Sequence, residues 1–148
     1  GQIQRLKRLA PQADLLVLGP PDADTSRPDI PLDGVHNLGF GCAPLSATET
    51  AAYGEMVKDA DPKLARWYPP PALSVVREAQ RRAAKAEGVA FWDWRARMGG
   101  DCSAHQLAHA YEPLMRGDHI HFSSSGGDFV AGLLWRDLMA AYDAPGGH

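Results

Sequence analysis

A chain of 148 residues, 45% of them hydrophobic, is the size of one domain and carries ample material for a core. Its formal net charge of -3 comes from interspersed acidic and basic residues, and the lack of any basic stripe argues against a nucleic-acid partner. No apolar run approaches the length of a membrane-spanning helix.

No signal-peptide pattern opens the chain. It enters at once into "IQRLKRLAPQADLLVLG", which reads as the middle of a fold rather than its beginning. Ile3, Leu6 and Leu9 recur at three-residue spacing with charge on the opposite face, which predicts the end of an amphipathic helix stopped by Pro11. Leu15 to Leu18 follow as a short apolar run closed by Gly-Pro-Pro, the pattern of a strand buried on both faces of a parallel sheet. Residues 22–45 are rich in Pro, Gly and Asp and read as an excursion without regular structure. "SATE" at Ser46 to Glu49 has capping-box form and predicts a helix from about Ala47 to Ala60, ended by Asp61-Pro62. A stronger helix is predicted from about Ala72 to Glu87, led by prolines and closed by Gly88. Val89 to Trp92 form the second strand candidate, and Val130, Leu133, Leu134 and Leu138 share one face of a terminal helix.

Helices and strands alternating in this order imply an α/β fold with a parallel sheet and helices on both faces. Two strands are few for such a sheet, so the expectation is that residues outside this sequence complete it.

Two cysteines, Cys42 and Cys102, lack zinc-ribbon spacing. Free core thiols are the default reading, and a disulfide, which implies an oxidising compartment, is the other. Phe91, Trp92 and Trp94 read as core and strand-edge packing, with Arg95 and Arg97 on a solvated face.

Chemistry concentrates in "RGDHIHFSSSG", residues 116–126. In open parallel sheets functional groups gather beyond the carboxyl ends of the strands, and the loop holding Asp118 and His121 is expected to return there. An Asp-x-x-His turn ahead of a helix can set the carboxylate against the imidazole, fixing its tautomer and supporting the imidazolium. The bland account makes Asp118 a turn cap and His121 a packed or solvent-facing side chain.

"DHIHFSSSGGDFVAGLLWRDLM" closely resembles the last motif block of the SGNH/GDSL hydrolases. Asp118 and His121 match that family's acid and base, Phe122 its hydrophobic position, Ser123 the helix cap, and Gly126 or Gly127 the glycine. "DLLVLGPPD" and "VREAQRRAAKAEGVAFWDWRARMGG" look like its central strand and its penultimate helix, strand and aromatic segment. The sub-group with "FWDW…MGG" and "DHIHF" is similar to bacterial extracytoplasmic esterases, including peptidoglycan O-acetylesterases. The resemblance implies a flavodoxin-like three-layer sandwich that hydrolyses esters through a serine acyl-enzyme, with no metal or other cofactor. It further implies a periplasmic or otherwise extracytoplasmic setting and an acetylated polysaccharide, or another small ester, as substrate.

The family's Gly-Asp-Ser nucleophile block is not found. The Gly-Asp pairs are Gly100-Asp101-Cys102, Gly117-Asp118-His119 and Gly127-Asp128-Phe129. Ser123 to Ser125 are accounted for as cap residues, and Ser103 has no more support as a nucleophile. The expectation is therefore that residues 1–148 are the C-terminal part of one SGNH-like domain, with an inserted region around 23–70. The serine would come from the N-terminal part of the domain, in the same or a separate chain.

Two other classes stay open. "HQLAH" puts His105 and His109 at i and i+4, the spacing of the zincin HExxH motif, but Gln106 stands where the glutamate base belongs. A non-catalytic metal site joining that pair to Asp118, His119 or His121 is the metal reading, and two surface histidines the bland one. A carbohydrate-binding or structural module on a degenerate hydrolase fold is the third class, with Tyr53, Trp67 and Tyr68 lining a cleft. Within the esterase reading, His119 points away from the dyad and joins Trp67 and Tyr68 as a substrate-side candidate.

Overall fold

The computed structural model describes residues 1–26 and 41–144. Gln2–Leu9 form α1, a short amphipathic helix that ends ahead of Pro11, and the chain then enters β1, Leu16–Leu18. After the segment 27–40, which lies outside the described residues and holds most of the expected irregular excursion, come α2, Ala47–Ala51, and α3, Tyr53–Lys58. The Ser46–Glu49 capping box is formed in both directions, Ser46 Oγ accepting from Glu49 N and Glu49 accepting from Ser46 N.

The single helix expected over Ala47 to Ala60 is instead broken at Ala52. Each piece is only one or two turns long, and such pieces persist through packing rather than propensity. Here Met56 is the anchor, buried with Leu64, Ala65 and Tyr68. Asp61 then caps a 3-10 turn over Pro62–Ala65, its carboxylate accepting from Lys63 N.

Helix α4, Pro71–Ala86, matches its sequence pattern, with proline at its first position and Gly88 at φ +60 just beyond it. It leads to β2, Ala90–Trp92, which pairs with β1 in parallel register, Leu16 beside Ala90, Val17 beside Phe91 and Leu18 beside Trp92. The two strands with a helical crossover between them make a small α/β unit. Gly19, where β1 turns away, donates to Trp92 O, and a Cβ at that position would lie 2.7 Å from the Phe91 ring.

Three short or long helices complete the described chain: α5, Trp94–Met98; α6, Ser103–Ala108; and α7, Ser124–Tyr142. On α7, Val130 and Leu133 pack with Trp92 in one core cluster. Met98, Ala104 and Met115 form a second, and Trp94 and Phe122 touch both. Asp137 ties α7 to β2 and α5, accepting from Trp92 Nε1 at 2.8 Å and from an Arg97 amino group at 3.0 Å.

Three sequence expectations are corrected. Strand β1 is not buried on both faces: Leu16 and Leu18 are 37% and 42% exposed, because among the described residues only β2 and its helices cover it. Arg95 is not solvated but 5% exposed, drawn inward by Asp22. The cysteines are not free thiols, since Cys42 and Cys102 form a disulfide with a Cα–Cα distance of 5.6 Å.

Candidate active site

The loop between Met115 and Phe122 is a tight hairpin. Ser123 N donates to Leu114 O at 3.0 Å, Arg116 N to His121 O at 2.8 Å, and His119 N to Arg116 O at 3.0 Å. Phe122 is the anchor of the hairpin, stacked on Trp94 with ring centroids 5.9 Å apart and planes 11° from parallel. Ser123 caps α7, accepting from Gly126 N and donating to Pro113 O. Gly126 permits the close approach beneath it, because a Cβ there would sit 1.7 Å from Leu114 O.

This scaffold turns Asp118 and His121 outward. Asp118 Oδ2 lies 2.8 Å from His121 Nδ1, while Asp118 Oδ1 accepts from the backbone N–H of Ile120 and of His121, each at 3.0 Å. Those bonds, the backbone N–H of His121 first, hold the Asp118 carboxyl well below its ordinary value. An ionised Asp118 accepts Nδ1–H from His121, which leaves the lone pair on Nε2. Both side chains are exposed, His121 at 65%, so Nε2 can meet a group approaching from outside this chain.

His119 takes the opposite course. At φ +57, a left-handed conformation unusual for a non-glycine residue, it turns inward and is 1% exposed. Its ring packs on Trp67 with centroids 3.7 Å apart and meets His105 and His109 edge-on at 5.0 and 5.3 Å. Burial, with the neighbouring His105 and His109, pushes its pKa down to about 4. Tyr68, the other aromatic singled out with Trp67, is 1% exposed and packs in the core with Met56 and Leu64. Trp67 is half-buried beside the His119 ring.

A buried polar network under this loop escaped the sequence reading. Asp22, fully buried in the turn after β1, accepts from Arg95 Nε at 3.0 Å, Ser103 Oγ at 3.2 Å and Ala104 N at 3.1 Å. Desolvation nonetheless raises its pKa, the hydrogen bonds and Arg95 opposing that rise. Arg95 also pairs with Asp101 and donates to Ser74 Oγ. Asp24 accepts from His105 N at 2.8 Å, and its own N–H donates to His119 O at 3.3 Å. The turn at the carboxyl end of β1 is thereby fastened to α6 on one side and to the Asp118–His121 loop on the other. The available signal was the Asp-x-Asp of "PPDAD", two acids directly after an apolar strand.

Four of the serines have structural partners, Ser46 as the cap of α2 and three others. Ser103 is 1% exposed and donates to Asp22, Ser74 Oγ accepts from Arg95, and Ser123 caps α7. The chemistry present is a polarised imidazole backed by a carboxylate, at the carboxyl edge of a parallel strand pair.

The fold and site define an α/β unit with an Asp-His pair on the loop ahead of α7. The chain shares its fold with a solved structure of a peptidoglycan O-acetylesterase, at a TM-score of 0.61 and 22% identity over 94% of this chain. It spans 29% of that structure's own length. No family model and no curated protein matches the chain.

Proposed function

We propose that this chain supplies the base and acid of a serine ester hydrolase of the SGNH type, acting on O-acetyl groups of a bacterial cell-envelope polysaccharide such as peptidoglycan. The observation that carries the reading is the outward-facing Asp118–His121 pair, with a 2.8 Å contact at Nδ1 and an exposed imidazole. The fold shared with a peptidoglycan O-acetylesterase supports it.

In this mechanism a serine from residues outside this sequence stands at His121 Nε2. His121 takes its proton as the hydroxyl attacks the acetyl carbonyl, then returns it to the departing sugar alkoxide. Water enters by the same route to release acetate. Asp118 stays ionised, holds the tautomer and stabilises the imidazolium. Neither step calls on a metal. Trp67 is the substrate-side candidate with exposed surface near the loop.

The domain reading extends the proposal. Residues 1–148 form the C-terminal part of a flavodoxin-like three-layer sandwich, in which further strands cover the exposed Leu16 and Leu18 face of β1. The segment around 23–70 is an insertion in that frame. The disulfide supports an oxidising, extracytoplasmic setting, and no helix among the described residues is long and apolar enough to cross a membrane.

In the full polypeptide that carries this chain, His121→Ala lowers acetyl-ester turnover by about a hundredfold or more while leaving the folded signal intact. Turnover within a factor of a few of the parent would refute the assignment.

A further inference from the structure

Three imidazoles meet behind the catalytic loop. His105 on α6, His109 at its C-cap and His119 from the hairpin each offer a ring nitrogen, and these nitrogens all lie within 4.8 Å of one another. We propose that His105, His109 and His119 bind one divalent transition-metal ion of the zinc class, at a site separate from the Asp118–His121 pair.

Two polar atoms there lack a partner. His105 Nδ1 and His119 Nδ1 are buried with no hydrogen bond, a state that is costly for an imidazole and that a bound ion, or the tautomer it selects, relieves. His109 is already oriented: its Nδ1 sits 2.9 Å from His105 O, so Nδ1–H donates to that carbonyl and Nε2 carries the free lone pair. A backbone carbonyl holding the far nitrogen of a ligating histidine is the usual outer support of a metal site.

The distances suit the ion. Imidazole nitrogens about 2.0–2.1 Å from a tetrahedral metal stand about 3.4 Å apart, so the cluster closes by about an ångström or a little more. His109, exposed and at a helix end, can supply that movement by rotation. His105 and His119 are held by the backbone, through His105 N to Asp24 and through His119 O to Asp24 N. The Cys42–Cys102 disulfide anchors the start of α6, where Cys102 is the N-cap.

The donor set selects the metal class. Three neutral nitrogens with no carboxylate favour zinc, cobalt, nickel or copper over calcium or magnesium. Trp67, packed against the His119 ring, supplies an apolar wall. Three protein ligands leave one position for water. The inward, left-handed His119 is the residue that makes the cluster, and backbone held in a sparsely populated region is a common mark of a functional position.

The full polypeptide, purified without a histidine tag and stripped by chelator, would be titrated with Co(II) and then with Zn(II). The expected result is one Co(II) per chain with the visible absorption bands of a tetrahedral site, displaced by one equivalent of Zn(II). His109→Ala, at an exposed position, and His119→Gln each weaken binding at least about tenfold, with unchanged circular dichroism for His109→Ala. His121→Ala binds as the parent does, which separates this proposal from the esterase reading. No stoichiometric binding by the parent, parent-like affinity in His109→Ala, or equal loss in His121→Ala would each overturn it.

Discussion

Gly126→Ala is the sharpest test of how the Asp118–His121 loop is held. Alanine favours a helix interior over glycine by about 1 kcal/mol, so propensity alone predicts stabilisation. Geometry predicts the reverse. The new Cβ would lie 1.7 Å from Leu114 O and 2.7 Å from Leu114 C, both backbone atoms that no rotamer change can move. Reaching van der Waals distance takes a shift of about 1.5 Å, and overpacking of that kind costs about 1–3 kcal/mol or more. Leu114 is also fastened twice, its oxygen to Ser123 N at 3.0 Å and its N–H to Leu107 O at 2.9 Å. Loosening both adds about 1 kcal/mol each. The net expectation is a loss of about 2–4 kcal/mol, read as a lower denaturation midpoint at unchanged slope. Gly132→Ala is the control: nothing lies within 4 Å of its Cβ on the same helix, so it gains about 0.5–1 kcal/mol. A Gly126→Ala protein as stable as the parent, or shifted in the same direction as Gly132→Ala, would refute the packing argument.

Two further outcomes follow from the covalent and electrostatic ties. The Cys42–Cys102 bond closes a loop with a sequence separation of 60 residues, and reducing it, or replacing both cysteines by serine, lowers stability by about 4 kcal/mol; superimposable guanidinium curves with and without reductant would contradict this. Glu49, hydrogen-bonded by Ser46 N and by Arg66, has its pKa lowered from 4.5 to about 2. The unfolded chain therefore takes up the proton first, and the stabilisation is complete above about 4.5 and lost as the pH falls towards about 2. Glu49→Gln removes this share of the acid sensitivity, so the gap between the two proteins' unfolding midpoints narrows over that range; parallel curves would count against it.

Sequence alone determined the local features. Helices α4 and α7, both capping motifs and both strand cores were legible because propensity, caps and apolar spacing all act within a few residues. The Asp118–His121 pairing was legible for the same reason, its two members being three residues apart. The tertiary structure decided whatever depended on distant partners. Arg95 reads as a surface cation until Asp22, in a turn far away in sequence, buries it. Cys42 and Cys102 read as thiols until the chain path brings them together. His119 reads as a bystander of the dyad until its positive φ turns it from solvent towards His105 and His109. A periodic pattern reports which side of an element is apolar, but not what another part of the chain places against it. For that reason "RGDHIHFSSSG" showed a candidate acid and base, while only the fold showed that the histidine between them is buried against Trp67 and gathers with His105 and His109.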